Sequence, residues 1–334
     1  MQIENKDNLE RYLIEKGLVV EGDGHESTYC SGGVSGTVVF VERPGKTPLI
    51  LKQALEFLKT KETWPCHPDR IVVEYNSNNI YHDIVPDCAQ KMLFCDTDNW
   101  IAVREAVPAD WRMWKKDLLR GILDFRIAKR SIEALLTVHE KAAGDPKVIA
   151  AFPSKDHFYK LRVDPYIVFT AGKYPELQAE ADEVCRFLME PNITLVHSDF
   201  SPKNIMIHGD LDDICILDFE SSHYGNPCFD LAFFFNHMLL KSIYNPEFGN
   251  AYVDMADYMA KIYLDGVTCM ERSELEEMTV RTLFFMLMAR VDGKSPAEYL
   301  VGDDEKQQKV RDLAYAIRSS GTKKFREALA LARK

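Results

Sequence analysis

Residues 195–235 read LVHSDFSPKNIMIHGDLDDICILDFESSHYGNPCFDLAFFF, and this stretch decides the fold of the chain. It predicts a strand, a polar loop, a hairpin and a further strand, with carboxylates at both strand ends. The loop carries Asp199 and, five positions later, Asn204, and Asp218 ends the hairpin. In phosphoryl transfer from ATP, one carboxylate accepts the proton of the attacking hydroxyl, and Asn and Asp oxygens hold Mg2+. The spacing therefore predicts Asp199 as the catalytic base and Asn204 and Asp218 as metal ligands.

Three further residues of this stretch receive supporting roles. We expect His197 to brace the loop by hydrogen bonding, and Asp230 either to cap the next helix or to pin the loop. Glu220 is predicted as a second metal ligand or as an outer partner of the metal. The sequence HGDL at 208–211 repeats part of the pattern, but a cysteine, which is no magnesium ligand, stands five positions after its aspartate. We interpret Asp210 as a residue of the hairpin turn.

HSDFSPKN and LDFESSHYGNPCFDLAFF resemble the two signature motifs of the aminoglycoside phosphotransferase-like family. The first motif is matched by His197, Asp199 and Asn204. The positions that match the second motif are Asp218, Gly225, Asn226, Pro227 and Asp230. The resemblance implies an α+β fold of the bilobal protein-kinase-like type, with a small β-rich N-lobe and a larger, mainly helical C-lobe. It also implies ATP and Mg2+ as cofactors, and transfer of a phosphoryl group to a hydroxyl of a small molecule.

The N-terminal part of the chain contains the candidate nucleotide site. The sequence CSGGVSGT at 30–37 lies between strand-like segments, and glycines allow backbone N–H groups to approach phosphate oxygens closely. Gly32, Gly33 and Ser35 are therefore candidate phosphate contacts, with a plain hairpin turn as the alternative. Lys52 is flanked by apolar strand residues and needs an anion, which we expect to be the ATP phosphates, steadied by Glu74. The alternative for Lys52 is an exposed position on an edge strand.

We place the boundary between the two lobes near 105–110. Residues 1–107 are predicted as a nucleotide-binding lobe with a helix near 5–16, several strands and a helix within 65–84. The connection that follows offers the backbone of Glu105 and Val107 to adenine, by position alone. Residues 108–334 are predicted as the catalytic and acceptor-binding lobe, with a long helical pattern to 144 and a helix near 176–190. Beyond Pro227 we expect about five helical segments.

One part of the N-lobe resembles methylthioribose kinases more specifically. The matching positions are Lys52, Gln53, Ala54, Leu55, Trp64, Pro65, Asp69, Arg70 and Glu74. The pair Asp218 and Glu220 also suits that branch, where an Asp-x-Glu binds metal. Methylthioribose kinases usually lack an Asn at the position of Asn204, and they carry adjacent arginines that hold the sugar. Here Arg281 and Arg290 are the candidate acceptor-binding arginines.

Composition limits the possible partners. The net charge of −11 disfavours a nucleic-acid partner, because an acidic chain repels phosphate backbones. The longest apolar stretches are too short to cross a bilayer and the N-terminus does not read as a signal peptide, so we expect no membrane association. The eight cysteines form no C-x-x-C pair, and reduced thiols in the cytoplasm are the simplest interpretation. The oligomeric state is left open.

Three other functions compete with phosphorylation of a small molecule. A protein kinase is disfavoured because HSD lacks the Arg of H-R-D and because Asp218 is followed by Phe-Glu instead of Phe-Gly. An aminoglycoside-modifying phosphotransferase stays open, since a cationic acceptor needs an acidic groove and the chain is acidic. A nucleotide-binding protein without catalysis also stays open, although every catalytic position is filled.

Overall fold

The computed structural model describes residues 1–30, 35–58, 65–209 and 212–333. Its N-terminal part is built on a five-stranded antiparallel sheet with the strand order β1-β2-β3-β5-β4. The strands are β1 (Glu26–Tyr29), β2 (Gly36–Arg43), β3 (Lys46–Ala54), β4 (Met92–Asp96) and β5 (Ile101–Glu105). Two helices accompany the sheet, α1 (Lys6–Glu15) and α2 (Arg70–Ile84).

The two faces of this sheet are covered differently. Leu49 and Leu51 of β3 are buried in one apolar cluster with Leu9 and Leu13 of α1. Successive residues of a strand point to opposite faces, so Lys52 lies on the other face. Ile71 of α2 packs there, in a second small cluster that includes Ala54 at the end of β3. Strand alternation therefore places Lys52 beneath α2.

The C-terminal part is mainly helical and includes two small antiparallel sheets, β6-β8-β9 and β7-β10. Its strands are β6 (Trp111–Met113), β7 (Thr194–Val196), β8 (Ile205–His208), β9 (Ile214–Ile216) and β10 (His223–Gly225). Its helices before the sheets are α3 (Trp114–Leu119), α4 (Phe125–Ala142), α5 (Pro146–Ala151), α6 (Asp156–Phe158), α7 (Phe169–Lys173) and α8 (Gln178–Met189). The helices after them are α9 (Cys228–Tyr244), α10 (Gly249–Gly266), α11 (Arg272–Asp292), α12 (Asp304–Ser320) and α13 (Phe325–Ala330).

The chain thus has the predicted α+β bilobal architecture. Within the described residues, the five α-helices after Pro227 agree with the predicted helical segments. The long helical pattern before 144 is divided into α3 and α4. A π-helix, Tyr159–Val168, joins α6 to α7 and was not predicted. Its wider turn and the internal Pro165 remove the 3.6-residue period by which helices are recognised.

Helix α9 forms the centre of the C-terminal core. All of its residues from Cys228 to Ile243 are buried, including four phenylalanines. A helix surrounded on every side by protein fixes the segment that precedes it, here the Asp218 to Pro227 connection. No helix in the described part of the chain is both long and apolar enough to cross a membrane.

Candidate active site

Lys52 joins the N-terminal sheet to the second motif. Its Nζ lies 2.7 Å from Glu74 Oε2, 2.7 Å from Asp218 Oδ1 and 3.3 Å from Glu220 Oε2. The Lys52 side chain is only 12% exposed, so these ion pairs are shielded from water. The structure therefore brings Lys52 to the predicted Glu74, and it adds two carboxylates from the segment after β9.

The charges of this cluster depend on one another. Burial acts to lower the pKa of Lys52, but Asp218, Glu220 and Glu74 outweigh it and hold that pKa well above its usual value. Burial also acts to raise the pKa of Asp218, but Lys52 and Lys203 outweigh it and lower the pKa of this carboxyl. For Glu74 burial prevails over the pull of Lys52 and raises the pKa. Lys52 is thus held in its charged form, and Asp218 stays ionised more readily than Glu74.

Asp199 is held by two cations and lies in a buried loop. Its Oδ2 lies 3.1 Å from Arg162 Nη2 and 2.9 Å from Lys203 Nζ. Its Oδ1 is buried and has no hydrogen-bond partner among the described residues. An acceptor-only oxygen left without a donor is costly unless a ligand supplies one, as a substrate hydroxyl would.

Asn204 closes the same loop. The side-chain Nδ2 of Asn204 donates a hydrogen bond of 3.0 Å to the backbone carbonyl of Asp199. The backbone carbonyl of Asn204 accepts the backbone N–H of Leu217 at 2.8 Å. The first bond fixes the loop around Asp199, and the second fixes the residue before Asp218. With Nδ2 engaged, the amide oxygen is the atom of Asn204 that can ligate a cation. Asn204 therefore connects the two predicted motifs.

Asp230 holds the Asp199 loop through hydrogen bonds to its backbone. Its fully buried carboxylate accepts the backbone N–H groups of His197 and Ser198, each at 2.7 Å. Helix α9 begins without a side-chain cap, so of the two predicted roles of Asp230 the geometry fits pinning. Burial acts to raise the pKa of Asp230, but hydrogen bonding from His139 and the backbone outweighs it and lowers the pKa.

His197 lies in an aromatic environment. Its Nδ1 accepts the backbone N–H of Asp199 at 3.2 Å, and its ring packs on Phe219 at 4.6 Å and on Tyr81 at 5.8 Å. Burial outweighs the pull of Asp230 and lowers the pKa of this histidine. A neutral ring that accepts a backbone hydrogen bond has the bracing geometry expected from the sequence.

Two residues of the site have left-handed backbone conformations. Ser198 has φ = 68° and Asp218 has φ = 69°. A non-glycine residue in this region costs about 1 kcal/mol. Ser198 directly precedes Asp199, and Asp218 carries one of the predicted metal-ligating carboxylates. Backbone strain of this kind commonly accompanies function.

The predicted nucleotide contacts lie around this cluster. Gly32 and Gly33 fall outside the described residues. Ser35 is buried, and its carbonyl accepts the backbone N–H of Leu55 at 3.2 Å. Glu105 is the exposed last residue of β5, and Val107 follows it in the connection to the helical part.

The two candidate acceptor arginines lie in different places. Arg281 forms an ion pair with Glu183 of α8 and lines a surface cavity of about 280 Å³ bordered by α8, α11 and α12. That position places Arg281 outside the Asp199 group. Arg290 is buried, and its Nη1 donates to the Tyr166 hydroxyl at 3.2 Å. Arg162 and Arg290 together lower the pKa of Tyr166 against the effect of burial, so Arg290 lies within electrostatic reach of the Asp199 loop.

Several residues of the site escaped sequence reasoning. Arg70 is fully buried and donates to the carbonyls of Ser35 at 2.5 Å and Leu55 at 2.7 Å, while its Nε lies 3.4 Å from Glu220. A buried arginine that follows a proline turn could have been recognised, but its partners are distant in sequence. Arg162 lies in the unpredicted π-helix. Lys203 also contacts Asp199.

The donor set suits a magnesium ion. Glu74, Asp218 and Glu220 offer carboxylate oxygens that all lie within 4.8 Å of one another. Hard oxygen donors of this kind are what Mg2+ requires, together with phosphate oxygens. Lys52, at 2.7 Å from two of the carboxylates, shows that this group of oxygens accommodates a cation.

Comparison with known proteins identifies the domain. Residues 156–264 match the model of the phosphotransferase enzyme family. A methylthioribose kinase of Geobacillus sp. (strain WCH70) is 26% identical over 237 residues, which make up 62% of this chain and 58% of that protein. The chain thus spans less than two thirds of the length of the curated relatives that it matches.

Solved structures share the fold over nearly the whole chain. A choline/ethanolamine kinase family protein from Mesorhizobium loti has a TM-score of 0.58 at 15% identity, covering 98% of this chain and 99% of that one. Amicoumacin kinase hAmiN, in complex with AMP-PNP, Ca2+ and Ami, has a TM-score of 0.55 at 13% identity, covering 94% and 95%. Residues 156–264 are thus similar to the phosphotransferase enzyme family, the sequence is distantly similar to methylthioribose kinases, and the solved structures show that the fold is shared.

Proposed function

We propose that the protein transfers the γ-phosphoryl group of ATP to a hydroxyl of a small molecule, with Mg2+ as the metal. The observation that carries this proposal is the position of Lys52, which bridges Glu74 of α2 and Asp218 of the second motif at 2.7 Å each. A lysine steadied by a helix glutamate beside a metal-binding aspartate is the arrangement that kinases use to hold ATP phosphates. The AMP-PNP and Ca2+ bound by amicoumacin kinase agree with a nucleotide and a divalent cation in this fold.

Each residue of the site has a part in the proposed reaction. Asp199 orients the acceptor hydroxyl through the unpartnered Oδ1 and takes its proton. Asn204, Asp218 and Glu220 would hold Mg2+, which supplies positive charge to the phosphate oxygens when it is bound. Lys52 contacts the α- and β-phosphates, and Arg162 and Lys203 keep the loop cationic where negative charge develops. Asp230 and His197 position the loop.

The nucleotide base would lie against the connection after β5. We propose that the backbone of Glu105 and Val107 pairs with adenine and that the 30–37 segment covers the phosphates. Residues 1–107 would then form the nucleotide lobe and residues 108–334 the catalytic lobe. All eight cysteines, which the structure describes, are free thiols, in keeping with a proposed cytoplasmic location.

Replacement of Asp199 tests the proposal. Asp199→Asn should keep Mg-ATP binding, measured by calorimetry, and lower acceptor-dependent ATP consumption about 100-fold or more. Asp213→Asn, a change at an exposed aspartate of the neighbouring β8–β9 hairpin, is the control. The first acceptors to test are methylthioribose, because of the homologues, and an amino alcohol. Mg-ATP binding without turnover of any acceptor would favour a nucleotide-binding protein instead, and turnover of aminoglycosides would favour a resistance enzyme.

A further inference from the structure

Helix α9 carries two basic residues in an otherwise apolar environment. Phe233, His237 and Lys241 are spaced by four residues, so they share one face of the helix. His237 is 7% exposed and Lys241 is 1% exposed. A buried ammonium group without an anion is costly, and Lys241 has no carboxylate at ion-pair distance in the part of the chain that the structure describes. The presence of Lys241 therefore calls for a reason other than packing.

This face of α9 begins at the Asp199 loop. The guanidinium of Arg162, which pairs with Asp199, lies 5.6 Å from the centre of the Phe233 ring. The rings of Phe233 and His237 are 5.3 Å apart, and Lys241 Nζ donates to the carbonyl of His237 at 3.2 Å. The lysine thus folds back toward His237, which follows Phe233 by four residues, or about 6 Å along the helix.

Two further cations approach the same place from other elements. Arg290 of α11 contacts Tyr166, whose ring lies 5.6 Å from Phe233, and no carboxylate among the described residues pairs with this arginine. Lys115 of α3 lies 5.8 Å from the centre of the Tyr299 ring, and Lys241 lies 5.6 Å from the same ring. Lys115 and Lys241 therefore approach one ring, and Arg290 lies within electrostatic reach of Lys241.

The charges close to Lys241 are not balanced. The other cations are Lys115 and Arg290, and the acid is Glu298. Burial, with Lys115 and Arg290 adding to its effect, lowers the pKa of Lys241 to about 7. Three buried polar atoms also lack a hydrogen-bond partner among the described residues: His237 Nε2, Arg290 Nε and the Tyr299 hydroxyl. An anion would satisfy both the charge and the hydrogen bonds.

We propose that the hydroxyl acceptor carries an anionic group, a carboxylate or a phosphate, and that Lys241, Arg290 and Lys115 bind it. This inference rests on the proposed function and narrows its acceptor. The hydroxyl to be phosphorylated lies at Asp199, and the anion lies farther along α9, so the acceptor carries the two groups on different parts of the molecule. The cations repel a cationic alcohol such as choline, and a neutral sugar leaves them uncompensated. The side chains of Lys203 and Lys115 are 45% and 22% exposed, so the acceptor would enter from solvent beside these two lysines.

The test is a binding measurement that needs no turnover. Thermal unfolding is followed with saturating Mg2+ and AMP-PNP, and D-ribose 5-phosphate, D-ribonate, D-ribose or choline is added at millimolar concentration. We expect ribose 5-phosphate or ribonate to raise the Tm, and the stronger of the two identifies phosphate or carboxylate as the anion. Ribose and choline should leave the Tm unchanged. The inference is overturned if neither anion raises the Tm, or if choline or ribose raises it as much.

Variants show whether the anion binds at the proposed place. Lys241→Met and Arg290→Met should each weaken the binding of the anion about tenfold or more, whereas Lys261→Met, at an exposed position of α10, should not. Lys241→Met removes a buried charge and is expected to fold. The test therefore stays decisive even if Arg290→Met fails to fold. Anion binding that persists in both variants refutes the site. Failure of the proposed function is distinguishable, because anion binding without any phosphoryl transfer would contradict only the kinase activity.

Discussion

The carboxylate of Asp230 accepts the backbone N–H of His197 at 2.7 Å, across 33 positions of sequence. A second N–H, that of Ser198, donates to the other carboxylate oxygen, and both groups are fully buried. The helix that carries Asp230 is the most deeply buried of the C-terminal part. The loop that presents Asp199 is thus attached to a fully buried helix.

Asp230→Asn should keep at most one of the two hydrogen bonds, because an amide accepts through its oxygen and its nitrogen cannot accept from a backbone N–H. We expect the free energy of unfolding to fall by about 2–4 kcal/mol and turnover to fall with it. Asp257→Asn, which removes a surface ion pair with Arg326, should change stability by less than about 1 kcal/mol. Urea unfolding followed by circular dichroism measures both variants. Equal stability of the two variants would show that the Asp230 contacts contribute little.

Lys52→Met should abolish the cation at the centre of the carboxylate cluster while keeping a side chain of similar length. Turnover should fall about 100-fold or more, and Mg-ATP binding should weaken, because the phosphates lose their fixed counter-charge. Lys46→Met, at the exposed start of the same strand, is the matched control. Steady-state kinetics at varied ATP concentration make the comparison. Normal kinetics in the Lys52 variant would place the phosphate-binding lysine elsewhere.

Lys241 should make stability depend on pH. Its pKa is about 7 in the folded chain, against 10.5 when exposed, because burial, Lys115 and Arg290 outweigh Glu298. Between these values the unfolded chain holds a proton that the folded chain has released, so the free energy of unfolding rises as pH rises. His237 and Tyr299 also face this ammonium. Burial lowers the pKa of His237 well below its usual value, so this ring is neutral, and burial raises the pKa of Tyr299, so this hydroxyl keeps its proton between pH 6.5 and 9.5.

Lys241→Met removes this contribution. The variant should be more stable than the wild type at pH 6.5, and the difference should shrink toward pH 9.5. Urea unfolding at four pH values, taken as the difference between the two proteins, checks the prediction because other groups titrate equally in both. A difference that is constant with pH would mean that Lys241 keeps an ordinary pKa.

Ser77 and Ser222 should be energetically coupled. The Ser77 hydroxyl on α2 lies 2.9 Å from that of Ser222, which donates to the carbonyl of His197 at 3.3 Å. These bonds link the helix of Glu74 to the loop of Asp199. Each Ser→Ala change should cost about 1 kcal/mol, and the double variant should show a coupling of about 0.5–1.5 kcal/mol. Additive losses in the double-mutant cycle would contradict the link.

Sequence reasoning reached the parts of the site that local patterns encode. The spacing of Asp199 and Asn204 and the position of Lys52 on a strand follow from turns and alternation, which are short-range. The partners of these residues come from elsewhere in the chain. Arg70 reaches Glu220 across 150 positions and Arg162 reaches Ser198 across 36 positions, and no local pattern encodes such pairs.

The acceptor side was the least predictable part. Arg281 and Arg290 were predicted from the resemblance to methylthioribose kinases, and helix α11 turns them toward different neighbours. The tertiary packing of α8 takes Arg281 to Glu183, while Arg290 faces Tyr166 in the π-helix. The one available signal was Lys241, a lysine inside the apolar sequence FFFNHMLLKSI, where burial of a charge needs an explanation.

The left-handed backbone of Asp218 has a consequence for directed evolution. Glycine adopts this conformation without penalty, but Asp218→Gly would also break the shielded ion pair with Lys52. One residue therefore affects both heat resistance and chemistry, and a library selected only for heat resistance does not report the chemistry. Engineers of this scaffold need to score survival and product formation in the same round.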